Sequence, residues 1–166
     1  MLHHRPKPLI ISCLSKIFYT LYNPLARNFG YLFRPEGVGV KTFVIRENTI
    51  LLVKIGYSHK SWVLPGGSVD AGEIPLQAAL RETKEETGIE LVALEKVMEK
   101  TYVINQKNIT VHFFTGQTTQ VDISIDDQEI VDAGWFDLDD LPTPRRPKLD
   151  AEIAAYREWA AKIASS

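Results

Sequence analysis

Three glutamates, Glu82, Glu85 and Glu86, are spaced so that they fall close together on one side of a helix. The surrounding residues, from about Pro75 to Thr87, are mostly good helix formers, and a proline suits a first turn. At about 100° per residue the three carboxylates lie within roughly a 100° arc, and like charges at such spacings repel each other. The cluster is therefore either a solvated acidic face or a site for a hard divalent cation, which takes oxygen ligands.

Glycines and two further charged residues border this predicted helix. Gly66 and Gly67 precede it, and Gly88 follows it as a suitable stop. Glu73 lies just before the helix, and Arg81 lies about 100° around it from the adjacent Glu82, a poor place for a metal ligand. The neighbouring arc is predicted to be buried, and it comprises Leu76, Ala79, Leu80, Thr83 and Thr87.

The stretch from Gly67 to Ile89 resembles the Nudix box, the signature of the Nudix hydrolases, which reads G-x5-E-x7-R-E-U-x-E-E-x-G-U with U apolar. Thr83 is the one departure, because the family usually has an aliphatic residue there. The resemblance covers roughly residues 37 to 142. The fixed positions of the box are filled by Gly67, Glu73, Arg81, Glu82, Glu85, Glu86, Gly88 and Ile89.

The resemblance implies a pyrophosphohydrolase that uses Mg²⁺ or Mn²⁺. The expected metal ligands are Glu82, Glu85, Glu86 and the backbone carbonyl of Gly67, which glycine would allow to approach the ion. Arg81 and Glu73 are expected to pair and to support the loop before the helix.

The family often takes a further carboxylate from a loop before a Trp-containing strand. Glu129 is the candidate here, with Asp126 and Asp127 as alternatives, and a solvated acidic loop is the competing interpretation. The general base is then Glu85, Glu82 or Glu129.

The expected substrate is a nucleoside diphosphate linked to another group, either a nucleoside triphosphate or a nucleotide sugar. Recognition of a base needs an aromatic platform, for which Tyr57, Tyr102 and Phe114 are the candidates, although each could be a core residue. Basic side chains that could face the phosphates are Arg27, Arg34 and Lys41, whose positions the sequence does not fix. A nucleotide-binding sensor that does not cleave its ligand is the alternative function.

The fold class predicted is α/β (α+β), since strands flank the central helix and another helix ends the sequence. The resemblance implies an α-β-α sandwich with a mixed sheet and a loop-helix-loop catalytic motif. We expect an N-terminal extension over residues 1–36, a Nudix domain over 37–147, and an amphipathic helix over 148–166 that packs on the domain. The apolar side of this last helix consists of Leu149, Ile153, Tyr156, Trp159 and Ile163.

Composition limits the remaining possibilities. A single cysteine, Cys13, excludes an internal disulfide and a cysteine-based metal cluster. A formal charge of −2 gives no broad basic field for nucleic acid. Apolar residues at helical spacing within residues 9–21 predict a helix that packs on the domain or a partner, or that lies on a membrane surface. We expect a cytoplasmic protein without a transmembrane segment, and a homodimer is compatible with the sequence.

Overall fold

The computed structural model describes residues 36–56, 61–104, 106–125 and 130–165. The predicted N-terminal helix, Cys13, Tyr57 and the acidic loop residues 126–129 lie outside this part of the chain. The described residues form six strands and two helices in the order β1 Glu36–Arg46, β2 Thr49–Ile55, β3 Trp62–Val63, α1 Pro75–Thr87, β4 Glu95–Ile104, β5 Lys107–Gln117, β6 Ile130–Asp137 and α2 Pro147–Ala164. Among the described residues no helix is both long enough and apolar enough to cross a bilayer.

The strands form one mixed sheet with the order β3-β2-β1-β5-β4, and β6 pairs with β2. β1 and β5 are parallel along ten registered pairs, whereas the other pairings are antiparallel. β1 pairs with β2 only at Ile45 and Arg46 in the registered ladder. Before Ile45, the edge of β1 that faces away from β5 does not pair with β2, so another segment of the chain can form hydrogen bonds with it.

The two helices cover opposite faces of this sheet. Side chains alternate between the faces along each strand, so Val40 and Phe114 pack with α1, while Phe43 and Phe113 pack with α2. The predicted α-β-α sandwich with a mixed sheet is confirmed.

Helix α1 has the predicted bounds, with Pro75 in its first turn. Gly88 ends the helix in the left-handed conformation and donates its N–H to the Lys84 carbonyl at 2.8 Å. Its buried residues are Ala78, Ala79, Glu82, Thr83, Glu86 and Thr87. The predicted buried arc is wrong at Leu76 and Leu80, which are only half-buried, because two glutamates take part of the face toward the sheet.

Helix α2 packs its first half into the core and leaves its end in solvent. Leu149 and Ile153 are buried beside Phe43, and the Tyr156 ring stacks on Phe43 with 4.9 Å between centroids. Ile163 is 55% exposed, so the predicted apolar side is wrong at that position. The helix extends beyond the sheet surface that its earlier turns cover.

Candidate active site

The three glutamates of α1 are not equivalent in the folded chain. Glu82 and Glu86 are buried, with 3% and 7% of their surfaces exposed, whereas the Glu85 side chain is 56% exposed. Residues four apart lie above one another on a helix, which explains why Glu82 and Glu86 share one side. Because charged side chains are rarely buried without partners, the surroundings of this pair determine what the cluster can do.

The glycine pair before α1 meets the two buried carboxylates. The Gly66 N–H donates to Glu86 Oε2 at 2.8 Å. A Cβ at Gly67 would lie 2.5 Å from the Glu82 carboxylate oxygens, far closer than packed atoms allow. Gly67 is therefore required by the close approach of a carboxylate rather than by a strained backbone conformation. Glu82 and Glu86 converge on this turn.

The first half of β1 holds the glycine turn in place. Val40 N–H donates to the Gly67 carbonyl at 2.9 Å, and Thr42 N–H donates to the Pro65 carbonyl at 2.9 Å. The Gly67 carbonyl is thus engaged with the sheet, although a carbonyl oxygen can accept a second bond. Metal coordination by this carbonyl stays a prediction.

Arg81 and Glu73 form the pair that the resemblance implies. Arg81 Nε and Nη2 lie 3.0 Å and 2.9 Å from the two Glu73 carboxylate oxygens, a bidentate geometry that gives strong, directional bonds. Arg81 Nη2 also donates to the Ser68 carbonyl at 3.0 Å, and Glu73 accepts the Asp70 N–H at 3.0 Å. Together these bonds brace the loop between the glycine turn and α1.

Arg81 has a second set of contacts that the sequence did not predict. Its Nη1 lies 2.9 Å from Glu82 Oε1 and 3.1 Å from Glu85 Oε2. Glu85 is four residues from Arg81 and lies on the same side of the helix. Glu82 lies about 100° around the helix from Arg81, and the long Arg81 side chain bends back to reach it. Within the described residues, no group of three His, Cys, Asp or Glu side chains is arranged to hold a metal ion. Arg81 Nη1 instead bridges two of the expected ligands.

Ion pairing shifts the protonation of this network. The hydrogen bond from Arg81 lowers the pKa of Glu73, and the Asp70 N–H contributes to the same effect. The hydrogen bond from Glu73 raises the pKa of Arg81, so its guanidinium stays charged. The folded state therefore favours ionised Glu73.

Replacement of Glu73 by Gln should lower the free energy of unfolding by about 1–2 kcal/mol at neutral pH, because hydrogen bonds to a charged partner are lost. Since the pKa of Glu73 is lower in the folded state, its contribution is present above the unfolded value of about 4.3 and is lost as the pH falls through the folded value. Urea unfolding from neutral to acidic pH should show the two proteins converge. An exposed control, Glu158→Gln, should leave the free energy of unfolding at neutral pH within about 0.5 kcal/mol of wild type. A difference for Glu73→Gln that stays constant as the pH falls would contradict the assignment.

The candidate aromatic platforms lie in different environments. Tyr102 on β4 is half-buried, with Lys148 Nζ 3.9 Å from its ring centroid. Phe114 is 5% exposed and packs between the sheet and α1, so it offers no open ring face to a base, and we do not retain it. Tyr57 and the carboxylate candidate Glu129, with its alternatives at 126 and 127, lie outside the described residues.

Comparison with known proteins identifies the family. The NUDIX domain model matches residues 35–160. The rat bis(5'-nucleosyl)-tetraphosphatase [asymmetrical] is 39% identical over 122 residues, which cover 70% of this chain and 76% of that protein. The NAD-capped RNA hydrolase NudC of Salmonella schwarzengrund is 34% identical over 98 residues, 58% of this chain but only 37% of NudC.

Solved structures show the same fold. The MutT NUDIX hydrolase of Burkholderia pseudomallei superposes with a TM-score of 0.65 at 26% identity, covering 72% of this chain and 97% of that one. The NUDIX domain of Shewanella oneidensis NrtR, solved with ADP ribose, gives a TM-score of 0.67 at 21% identity, covering 86% of this chain and 96% of that one. The chain belongs to the Nudix family of hydrolases.

Proposed function

We propose that this chain hydrolyses a pyrophosphate bond in a nucleoside diphosphate joined to another group, with Mg²⁺ or Mn²⁺ as its cofactor. The observation that carries the proposal is the convergence of Glu82 and Glu86 on the glycine turn, with Glu85 open to solvent beside them. Because Gly67 has no side chain, the Glu82 carboxylate lies directly against the backbone of this turn, next to the Glu86 carboxylate that accepts the Gly66 N–H.

The donor set suits a hard divalent cation. Glu82, Glu85 and Glu86 offer only carboxylate oxygens, the ligands that Mg²⁺ and Mn²⁺ prefer. The missing Cβ at Gly67 lets the Glu82 carboxylate lie against the backbone of the turn, a position that a Cβ at this residue would exclude. When bound, the metal would neutralise charge on the phosphates and make water more acidic.

The remaining residues of the site support and position this group. Arg81 and Glu73 hold the loop that carries the glycine turn, so their role is structural. Glu85 is the carboxylate most accessible to water and is our first candidate for the general base, with Glu82 and Glu129 as the others.

The relatives favour a substrate that contains a nucleotide. The name of the rat relative specifies a bis(5'-nucleosyl)-tetraphosphate as its substrate, and the name of NudC specifies NAD-capped RNA. We propose a nucleoside triphosphate, a dinucleoside polyphosphate or a nucleotide sugar for this chain. Tyr102 remains the candidate contact for the base, because it is half-buried rather than fully enclosed in the core.

The full chain incubated with Mg²⁺ and a panel of nucleoside triphosphates, dinucleoside polyphosphates, nucleotide sugars and NAD tests the proposal. At least one compound should yield a nucleoside phosphate, and excess chelator should abolish turnover because charge neutralisation at the phosphates is lost. Restoring Mg²⁺ or Mn²⁺ should restore activity, which separates metal removal from damage to the protein. Tight binding of a nucleotide without any turnover would instead support the non-cleaving sensor.

A further inference from the structure

Strand β4 lies at an edge of the sheet. It pairs with β5 along one side, and among the described residues no strand pairs with its other side. Such an edge exposes backbone N–H and C=O groups with which a strand of another chain can pair. Charged side chains and bulges restrict which strand fits there, so the pattern of charges along β4 determines its partner.

A β-bulge in β4 places matching residues on either side of its centre. Lys96 and Met98 lie opposite adjacent residues of β5, so Val97 is the extra residue of the bulge. Val97 and Met98 both pack against the hydrophobic cluster on the face that α2 covers. The alternation of side chains between the two faces therefore runs in the same order in both directions from the bulge.

Charged side chains flank the bulge on both faces of β4. Their partners on β5 place Glu95 and Lys100 on the face that α2 covers. Lys96 and Glu99 are on the other face, where their side chains pair at 2.8 Å. Each face thus has one acidic and one basic residue, on opposite sides of the bulge.

A second copy of the same strand matches this pattern. Two β4 strands can lie antiparallel and edge to edge about a two-fold axis that passes through the bulge. Glu95 of each copy then lies opposite Lys100 of the other, and Lys96 of each copy lies opposite Glu99 of the other. The members of each pair share a face, and opposite charges in such cross-strand pairs are stabilising. Four such pairs form in one dimer.

The exposed apolar residues near β4 fit the same register. Val92 is 98% exposed and Val103 is 74% exposed, the two highest values among the large apolar residues described. Val92 lies three residues before Glu95, and Val103 lies three residues after Lys100. The register set by the charges therefore brings Val103 of one copy toward Val92 of the other, and covering apolar surface favours association.

The other edge strand, β6, lacks this self-complementarity. Among the described residues it pairs only with β2, and its charged residues are Asp132 and Asp137, both exposed. Two copies of β6 side by side would bring together acidic residues alone, and like charges in cross-strand pairs are destabilising. The charge pattern therefore favours β4 over β6 as the place where two chains meet.

We propose that the chain forms a two-fold symmetric dimer through β4, which joins the two sheets into one continuous sheet. The charged pairs fix the register, and the exposed valines add apolar contact. An interface of a single strand is small, so the dimer is weak and depends on protein concentration. This inference goes beyond the proposed function and does not depend on it.

Sedimentation equilibrium of the full chain over a range of concentrations measures the dimer. Lys100→Glu places two acidic residues opposite each other, and symmetry makes this happen twice in every dimer. Its Kd should rise at least about tenfold, which corresponds to about 1.4 kcal/mol. Glu95→Lys should have the same effect by opposing two lysines. A wild-type protein that stays monomeric at every concentration, or an unchanged Kd in both variants, would overturn the inference.

Mixing the two single variants distinguishes a β4 dimer from damage to the fold. In a mixed dimer the copy with Lys100→Glu has two acidic residues on this face, and the copy with Glu95→Lys has two basic ones, so both pairs are attractive again. The mixture should therefore dimerise with a Kd within about threefold of wild type. The double variant Glu95→Lys/Lys100→Glu should do the same. Failure of both to dimerise would contradict the proposed register.

A matched pair of substitutions tests which edge strand forms the interface. Val103→Glu on β4 should raise the Kd at least about fivefold, whereas Val131→Glu on β6 should change it by less than about twofold. Val131 is also an exposed valine on an edge strand, with 54% of its surface exposed. The opposite result would place the interface at β6, and equal effects of the two substitutions would also refute a dimer through β4.

Discussion

Replacement of Glu85 by Gln should lower kcat/KM at least about a hundredfold on any substrate that the wild-type protein hydrolyses, the loss expected for a catalytic acid–base group. Gln has nearly the same shape but cannot accept a proton or offer a charged ligand oxygen. Glu85 is the exposed member of the cluster, and its pairing with Arg81 is a solvent-exposed contact. Such a contact contributes about 0–1 kcal/mol to stability, so the variant should fold normally.

Glu90→Gln provides the matched control. Glu90 is exposed, follows the same helix and pairs with Lys84 at 2.6 Å, so it undergoes the same change of charge without facing the glycine turn. Its kcat/KM should remain within about twofold of wild type. Steady-state kinetics and thermal unfolding of both variants complete the comparison. If Glu85→Gln retains a third or more of the activity, then neither metal binding nor base catalysis depends on that carboxylate.

Replacement of Lys41 by Met should destabilise the protein by about 3 kcal/mol, because it leaves the buried Glu152 carboxylate without a partner. The Glu152→Gln variant should lose less stability than Lys41→Met. The Lys41 side chain keeps 24% of its surface exposed and can recover some hydration once its partner is neutral. Denaturant unfolding of the two single variants at neutral pH measures this asymmetry.

The double variant Lys41→Met/Glu152→Leu should regain most of the lost stability. Burial lowers the pKa of Lys41 even though the Glu152 carboxylate acts to raise it, so desolvation outweighs the attraction. Apolar replacements of a buried ion pair are often neutral or stabilising for this reason. Equal losses in both single variants, together with an additive double variant, would show that the pair does not act as a unit.

Helix α1 illustrates how far local sequence determines structure. Its start at Pro75 and its end before Gly88 were predicted correctly, because both signals act within one or two residues of the helix terminus. On β5, Val111 and Phe113 pack on one face and Phe114 on the other, as the two-residue period of a strand requires. The Nudix box, the family and the general architecture follow from such signals.

The roles of individual side chains depended on contacts between distant segments. The sequence could not show that Glu82 and Glu86 are buried against a glycine turn, or that Arg81 reaches Glu82 as well as Glu73. Phe114 is in the core only because α1 crosses above it.

Lys41 shows most clearly that the role of a side chain can depend on a distant segment of the chain. Its type suggested a phosphate contact, whereas its position opposite Glu152, 111 residues away in the chain, makes it the anchor of α2. The sequence by itself determined the box, the helix and the kind of chemistry, because these depend on neighbours along the chain. Only the tertiary structure decided which carboxylate of α1 faces solvent and that Lys41 pairs with Glu152. Burial and pairing are properties of the packed molecule.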